Sequence, residues 1–144
     1  MKKKKVYIIF IISIAIGILI FPILHISSLK KEDRMFIENE YLIITGQYKI
    51  KTLLSEIEKV YLSEEIPDFN RRTKGFSLAD IKKGYFIGTD SIEYYVNVNT
   101  EFSPYNIHIQ RKKEIPMIIN MKDSIDTVSF YELIKMNLIN SSCY

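Results

Sequence analysis

The chain has no tryptophan, one cysteine and only two histidines in 144 residues. A single cysteine excludes an intrachain disulfide, and Cys143, beside the C-terminus, has no neighbouring base or cation to lower its pKa. It fits a reduced compartment or a bacterial surface that makes little use of disulfides. His25 and His108 cannot assemble a multi-histidine metal site or a histidine-based triad. Glu64, Glu65 and Asp68 cluster but lack the alternating-oxygen spacing of a calcium loop. These shortages leave no visible catalytic constellation, so the expectation is a non-enzymatic protein without metal or cofactor.

Charge is the next thing missing, from Val6 through Leu29. Over Val6 to Ile26 only Ser13, Gly17, Pro22 and His25 interrupt the apolar residues. Roughly 21 residues at 1.5 Å rise span about 31 Å, the thickness of a bilayer's hydrocarbon core. Ten isoleucines in that run, at about −0.3 to −0.6 kcal/mol each, contribute about 3 to 6 kcal/mol toward insertion. A cleavable secretory signal is the competing reading, because Lys2 to Lys5 form a positive n-region and Ser27 and Ser28 are small. Its apolar region is usually shorter and followed by an A-x-A-like site, which favours an uncleaved anchor over about 6–26. His25 then lies at the headgroup level, where a neutral imidazole costs little.

The anchor changes what the net charge of +3 means. Residues 1–34 hold seven basic and two acidic side chains, net +5, whereas residues 35–144 hold 13 and 15, net −2. The domain has no concentrated basic stripe, which argues against nucleic-acid binding. Four lysines precede the span and three basic residues follow it, so the positive-inside rule puts the N-terminus inside and the domain outside the cell membrane.

After a polar connector to Arg34, a domain is predicted over 35–144. Phe36-Ile37, Tyr41 to Thr45 and Tyr48 to Thr52 are short β-branched and aromatic runs, separated by the turn pairs Asn39-Glu40 and Gly46-Gln47. A strand from about Ile57 to Leu62 competes with a short helix there. Ile92, Tyr94, Val96 and Val98 alternate with Glu93, Tyr95, Asn97 and Asn99, which predicts a strand with one buried side. Tyr105, Ile107 and Ile109 alternate with Asn106, His108 and Gln110, placing His108 on a polar face. Met117, Ile119 and Met121 form a further apolar face, with Pro116 at an edge or first position. Ile125, Val128, Tyr131, Ile134 and Leu138 then recur at helical spacing behind an Asp123 or Ser124 cap. About seven strands and one C-terminal helix predict a mainly β (α+β) domain.

The least generic stretch is Ile66 to Phe86. Pro67-Asp68 and Lys74-Gly75 read as turns, and Phe76 and Phe86 as core residues. Arg71, Arg72, Lys74, Lys82 and Lys83 are the binding candidates, because guanidinium forks grip phosphate or carboxylate groups. Surface loops are commonly charged, and Glu64, Glu65, Asp68 and Asp80 could pair these cations at about 0 to 1 kcal/mol each.

Ile66-Pro67, Arg71-Arg72-Thr73-Lys74-Gly75-Phe76, Lys83-Gly84-Tyr85-Phe86, the Tyr94 to Val98 strand and Met117 to Asp123 together resemble the bacterial pleckstrin-homology (PH-like) family of small membrane proteins in Gram-positive bacteria. The resemblance covers essentially 36–139. It implies a bent seven-stranded antiparallel barrel or sandwich capped by a C-terminal helix, membrane attachment, no known enzymatic activity and a largely undefined ligand. Lys74 stands where an Asn is expected, and one span replaces the paired spans of many relatives. The expected function is a membrane-anchored interaction module for a protein partner at the membrane surface. An anionic lipid-headgroup module is the alternative, and self-association into a homo-oligomer is a further option.

Overall fold

The computed structural model describes residues 13, 14, 16–18, 20 and 33–141, and the chain divides into two units, 1–31 and 32–144. In the first unit the described residues are helical. No helix among the described residues is long and apolar enough to cross a membrane, and the expected span over 6–26 lies mostly outside them.

The second unit is mainly β, with two sheets and one C-terminal helix. Strands β1 (Met35–Glu38), β2 (Tyr41–Ile44) and β3 (Ile50–Leu53) form a three-stranded antiparallel meander. Its first turn is where the sequence puts it, with Asn39 and Glu40 both at positive φ (49° and 66°) as a two-residue type I′-like hairpin requires. A single 3-10 turn, Leu54–Glu56, leads into β4 (Ile57–Ser63), so the strand prevails over the short helix.

The larger sheet has the order β4-β8-β9-β7-β6-β5, with β5 at Phe69–Leu78, β6 at Ile81–Gly88, β7 at Glu93–Asn99, β8 at Asn106–Arg111 and β9 at Met117–Ile119. Nine strands are thus present among the described residues, against about seven expected. The sheet is also not wholly antiparallel. After β7 the chain crosses over to β8, leaving a gap that β9 fills, antiparallel to β8 and parallel to β7. Pro116 immediately precedes β9, which is a central strand.

Central placement alters the burial expected from alternation. Tyr95, Ile107, Ile109, Met117 and Ile119 face the three-stranded sheet and the helix in the main core, while Phe86, Val96, Val98 and Ile118 form a second cluster on the other face, packed by Ile66, Phe69 and Tyr94. The strand around Val96 is therefore buried on both sides rather than one, as interior strands are.

Helix α1 (Ser124–Ser141) begins as expected: Asp123 Oδ1 accepts the Asp126 N–H at 2.8 Å. Its buried face is Thr127, Phe130 and Ile134, flanked by Tyr131 and Leu138. Ile125 and Val128, expected inside, are exposed. Apolar residues on both faces of the helix make the stripe ambiguous in sequence.

Lys74-Gly75 is not a turn. The hairpin turns at Ala79-Asp80, and Gly75 lies within β5 directly opposite Gly84 of β6. Both glycines have positive φ (144° and 120°). A Cβ on Gly75 would run into the Lys83 carbonyl oxygen, and one on Gly84 into the Lys74 carbonyl oxygen. With two register shifts in β5, one on each side of Arg71-Arg72, this close crossing coils the hairpin. Gly75→Ala or Gly84→Ala should each destabilise the fold by at least about 1–3 kcal/mol, read as a shift in urea midpoint, whereas Ser77→Ala on the same hairpin should stay within about 0.5 kcal/mol.

Candidate functional site

The five cationic candidates do not form one patch. Lys83 Nζ lies 3.1 Å from Asp33 Oδ2 with both side chains largely covered, and the same oxygen accepts from Asn97 Nδ2 at 2.9 Å. That pair sits where the chain joins the domain, and it fastens the segment just before β1 to β6 and β7. Lys74 is exposed opposite Tyr85 and lines no described cleft. Arg71, Arg72 and Lys82 remain together, around a shallow cleft of about 400 Å³ completed by Phe69, Asn70, Ser77 and Phe86.

Arg71, Arg72 and Lys74 have a structural explanation as well. β5 is the edge of the larger sheet and runs ten residues, most of them exposed. A long exposed edge invites pairing with another chain, and charged side chains and bulges are how such an edge is blunted. β5 has both.

A larger concavity lies on the outer face of the same sheet, away from the helix. It encloses about 610 Å³, within the range of small-ligand and peptide pockets. Its floor comes from β8, β9 and β7 through His108, Gln110, Ile118 and Tyr94; Tyr61 of β4 forms one wall, and Glu65, Ile66 and Pro67 the overhanging rim. The irregular segment Glu64 to Asp68 thus covers part of the sheet and leaves the rest open.

The rings here are held in place. Tyr61 stacks on His108 with centroids 4.9 Å apart and planes 18° apart, as their direct cross-strand pairing allows. His108 Nε2 lies 3.0 Å from the Glu65 carbonyl oxygen. Only a protonated Nε2 can make that bond, so the neutral ring carries its acceptor on Nδ1. Burial holds the His108 pKa below its ordinary value, opposed by the Glu65 bond. Tyr94 donates to Asp90 Oδ2 at 2.5 Å and packs edge-on against Phe69. Burial first, then the Asp90 bond, pushes the Tyr94 phenol up to about 12.

Charge in the groove is acidic. Glu58 and Glu65 line it. Arg111 does too, but its guanidinium is engaged by the Ile115 carbonyl, the Thr52 hydroxyl and Glu114. Alternation places His108 on a polar face, and that face is the floor of a groove because a segment about 40 residues upstream covers it. Alternation reports which side a residue takes, not what lies over it.

Among the described residues no three His, Cys, Asp or Glu side chains are placed to hold a metal ion. No family model, curated protein or solved structure matches the chain.

His108 should titrate in the folded protein below about 6.5, with the Nε2-H tautomer visible in ring ¹⁵N shifts. Its folded pKa is the lower one, so the unfolded chain binds more protons between the two values. Stability from this group is full above about pH 6.5 and falls as the pH drops through that range. His108→Gln should flatten that part of the stability profile.

Proposed function

We propose that this chain is a membrane-anchored, PH-like interaction module whose outer-face groove receives a segment of another protein. The anchor is the uncharged run over 6–26, and the charge asymmetry around it favours the domain on the outer side. Supporting the PH-like reading are the motifs in 66–123 and an architecture of two sheets with a C-terminal helix. The parallel β9 is a departure within that plan.

The observation that carries the reading is the chemistry of the groove. Tyr61, Tyr94, Ile66, Pro67 and Pro116 offer rings and aliphatic surface, which suit apolar side chains of an extended segment. Glu58 and Glu65 repel an anionic headgroup and favour a basic residue flanking the apolar anchor. No catalytic step is assigned to the site.

Anionic lipid is the second reading, and the Arg71, Arg72 and Lys82 cleft favours it. Two guanidinium groups and an ammonium beside Asn70 and Ser77 match the oxygens of a phosphate.

Photo-crosslinking in intact cells separates the two. A benzophenone amino acid at Ile92, exposed on the groove wall, should capture a discrete protein adduct, and one at Ser77 in the cationic cleft should not. Adding Tyr61→Ala should weaken capture from Ile92 about tenfold, near 1.4 kcal/mol. Adducts from Ser77 alone, in the lipid fraction, would reverse the order of the two readings.

A further inference from the structure

Helix α1 carries a second apolar stripe that nothing among the described residues of the domain covers. Ile125 is 77% exposed, Met136 58% and Ile139 63%, with Val128 and Leu133 also exposed. At 100° per residue, Ile125, Val128, Met136 and Ile139 fall within about 80° of one another, with Leu133 on one flank. Scattered exposed apolar residues need no explanation, but four of them on one side of a helix, interrupted by Glu132, mark a contact surface.

We infer that this face pairs with the same face of a second copy of the chain, the two α1 helices antiparallel about a two-fold axis. The stripe holds two charged residues, Glu132 within it and Lys135 at its border, in a salt bridge of 3.4 Å. An axis crossing between Leu133 and Ile134 sets each residue opposite the one whose number completes a fixed sum. Glu132 then meets Lys135 of the second copy, twice. Val128 meets Ile139, also twice, while Leu133 stays on the flank of the contact. Apolar and charged groups are self-complementary in one arrangement, which an isologous interface requires. A parallel pairing would set Glu132 against Glu132.

The bilayer is a poorer occupant. Interfacial helices carry several Lys and Arg around the apolar face, whereas α1 borders its stripe with Lys135 alone and places Glu132 within it. The expected dimer is reversible: an 18-residue helix is about 27 Å long, too short to bury the roughly 1,600 Å² of a standard interface. This inference concerns a different surface from the groove and holds or fails independently of it.

Charge exchange on the full chain tests it. Cys143 is the only cysteine, so donor- and acceptor-labelled populations can be made by thiol labelling and mixed in detergent. The wild type should show energy transfer that rises with concentration. Glu132→Lys and Lys135→Glu should each weaken self-association at least about tenfold, by setting like charges face to face. Mixing the two variants should restore transfer to the wild-type level, because the doubly basic face then meets the doubly acidic one. A loss of folding would not be repaired by mixing. Unchanged association in both single variants would overturn the proposal, as would no wild-type transfer at 100-fold dilution steps up to about 0.1 mM. Weakened variants that fail to recover on mixing would also overturn it, and would assign the stripe to an unlike partner or to the bilayer.

Discussion

Three residues at the centre of the larger sheet hold the domain together. Met117, Ile118 and Ile119 are all fully buried, the first and third in the main core and the second in the outer cluster. Among the described strands, β9 alone bridges the β4-β8 pair and the β7-β6-β5 group. Asn120 locks its end. The side-chain amide of Asn120 donates to the Asn99 carbonyl at 3.1 Å, with longer contacts to the Ser103 carbonyl and Asn106 Oδ1, while its Oδ1 accepts the Asn99 N–H at 2.8 Å. A buried amide satisfied on both sides ties the crossover after β7 to the strand that fills the gap beneath it.

The groove follows from that arrangement. Because β9 brings β8 alongside β7, His108, Ile118 and Tyr94 form one continuous floor, and the segment before β5 has a surface to lie on. The glycine crossing acts at the other end of the sheet. By letting β5 and β6 approach closely at Gly75 and Gly84, it coils the hairpin so that Phe69 packs on Phe86 with centroids 5.3 Å apart and closes the second cluster. Arg71 and Arg72 are carried on this coiled edge. Their exposure is a consequence of the fold before it is evidence of a ligand.

Local patterns in the sequence were legible where neighbours in sequence are neighbours in space. The meander of β1 to β3, the turn at Asn39-Glu40, the Asp123 cap and the existence of α1 all rest on short-range spacing. What spacing could not show was pairing at a distance. Pro116 announces a strand start but not a parallel, central strand; alternation turns Tyr95 outward, whereas the three-stranded sheet covers that face. Lys74-Gly75 resembled a turn because glycine serves both a turn and a close crossing, and only the opposed Gly84 distinguishes them. For the candidate site, the cationic residues were visible by composition, but Asp33 engages Lys83 from 50 positions away. The groove was invisible, since its walls come from β4, β8 and the 64–68 segment.

Hydrogen–deuterium exchange on the full chain tests most directly whether β9 is the element on which both layers depend. Amides of β9 should exchange only with global unfolding, at the same free energy as β7 and β8, while the outward amides of β5 exchange far sooner. Exchange of β9 at a distinctly lower free energy than β7 and β8 would mean that the sheet parts at its centre, and would contradict the account of how the groove floor is held.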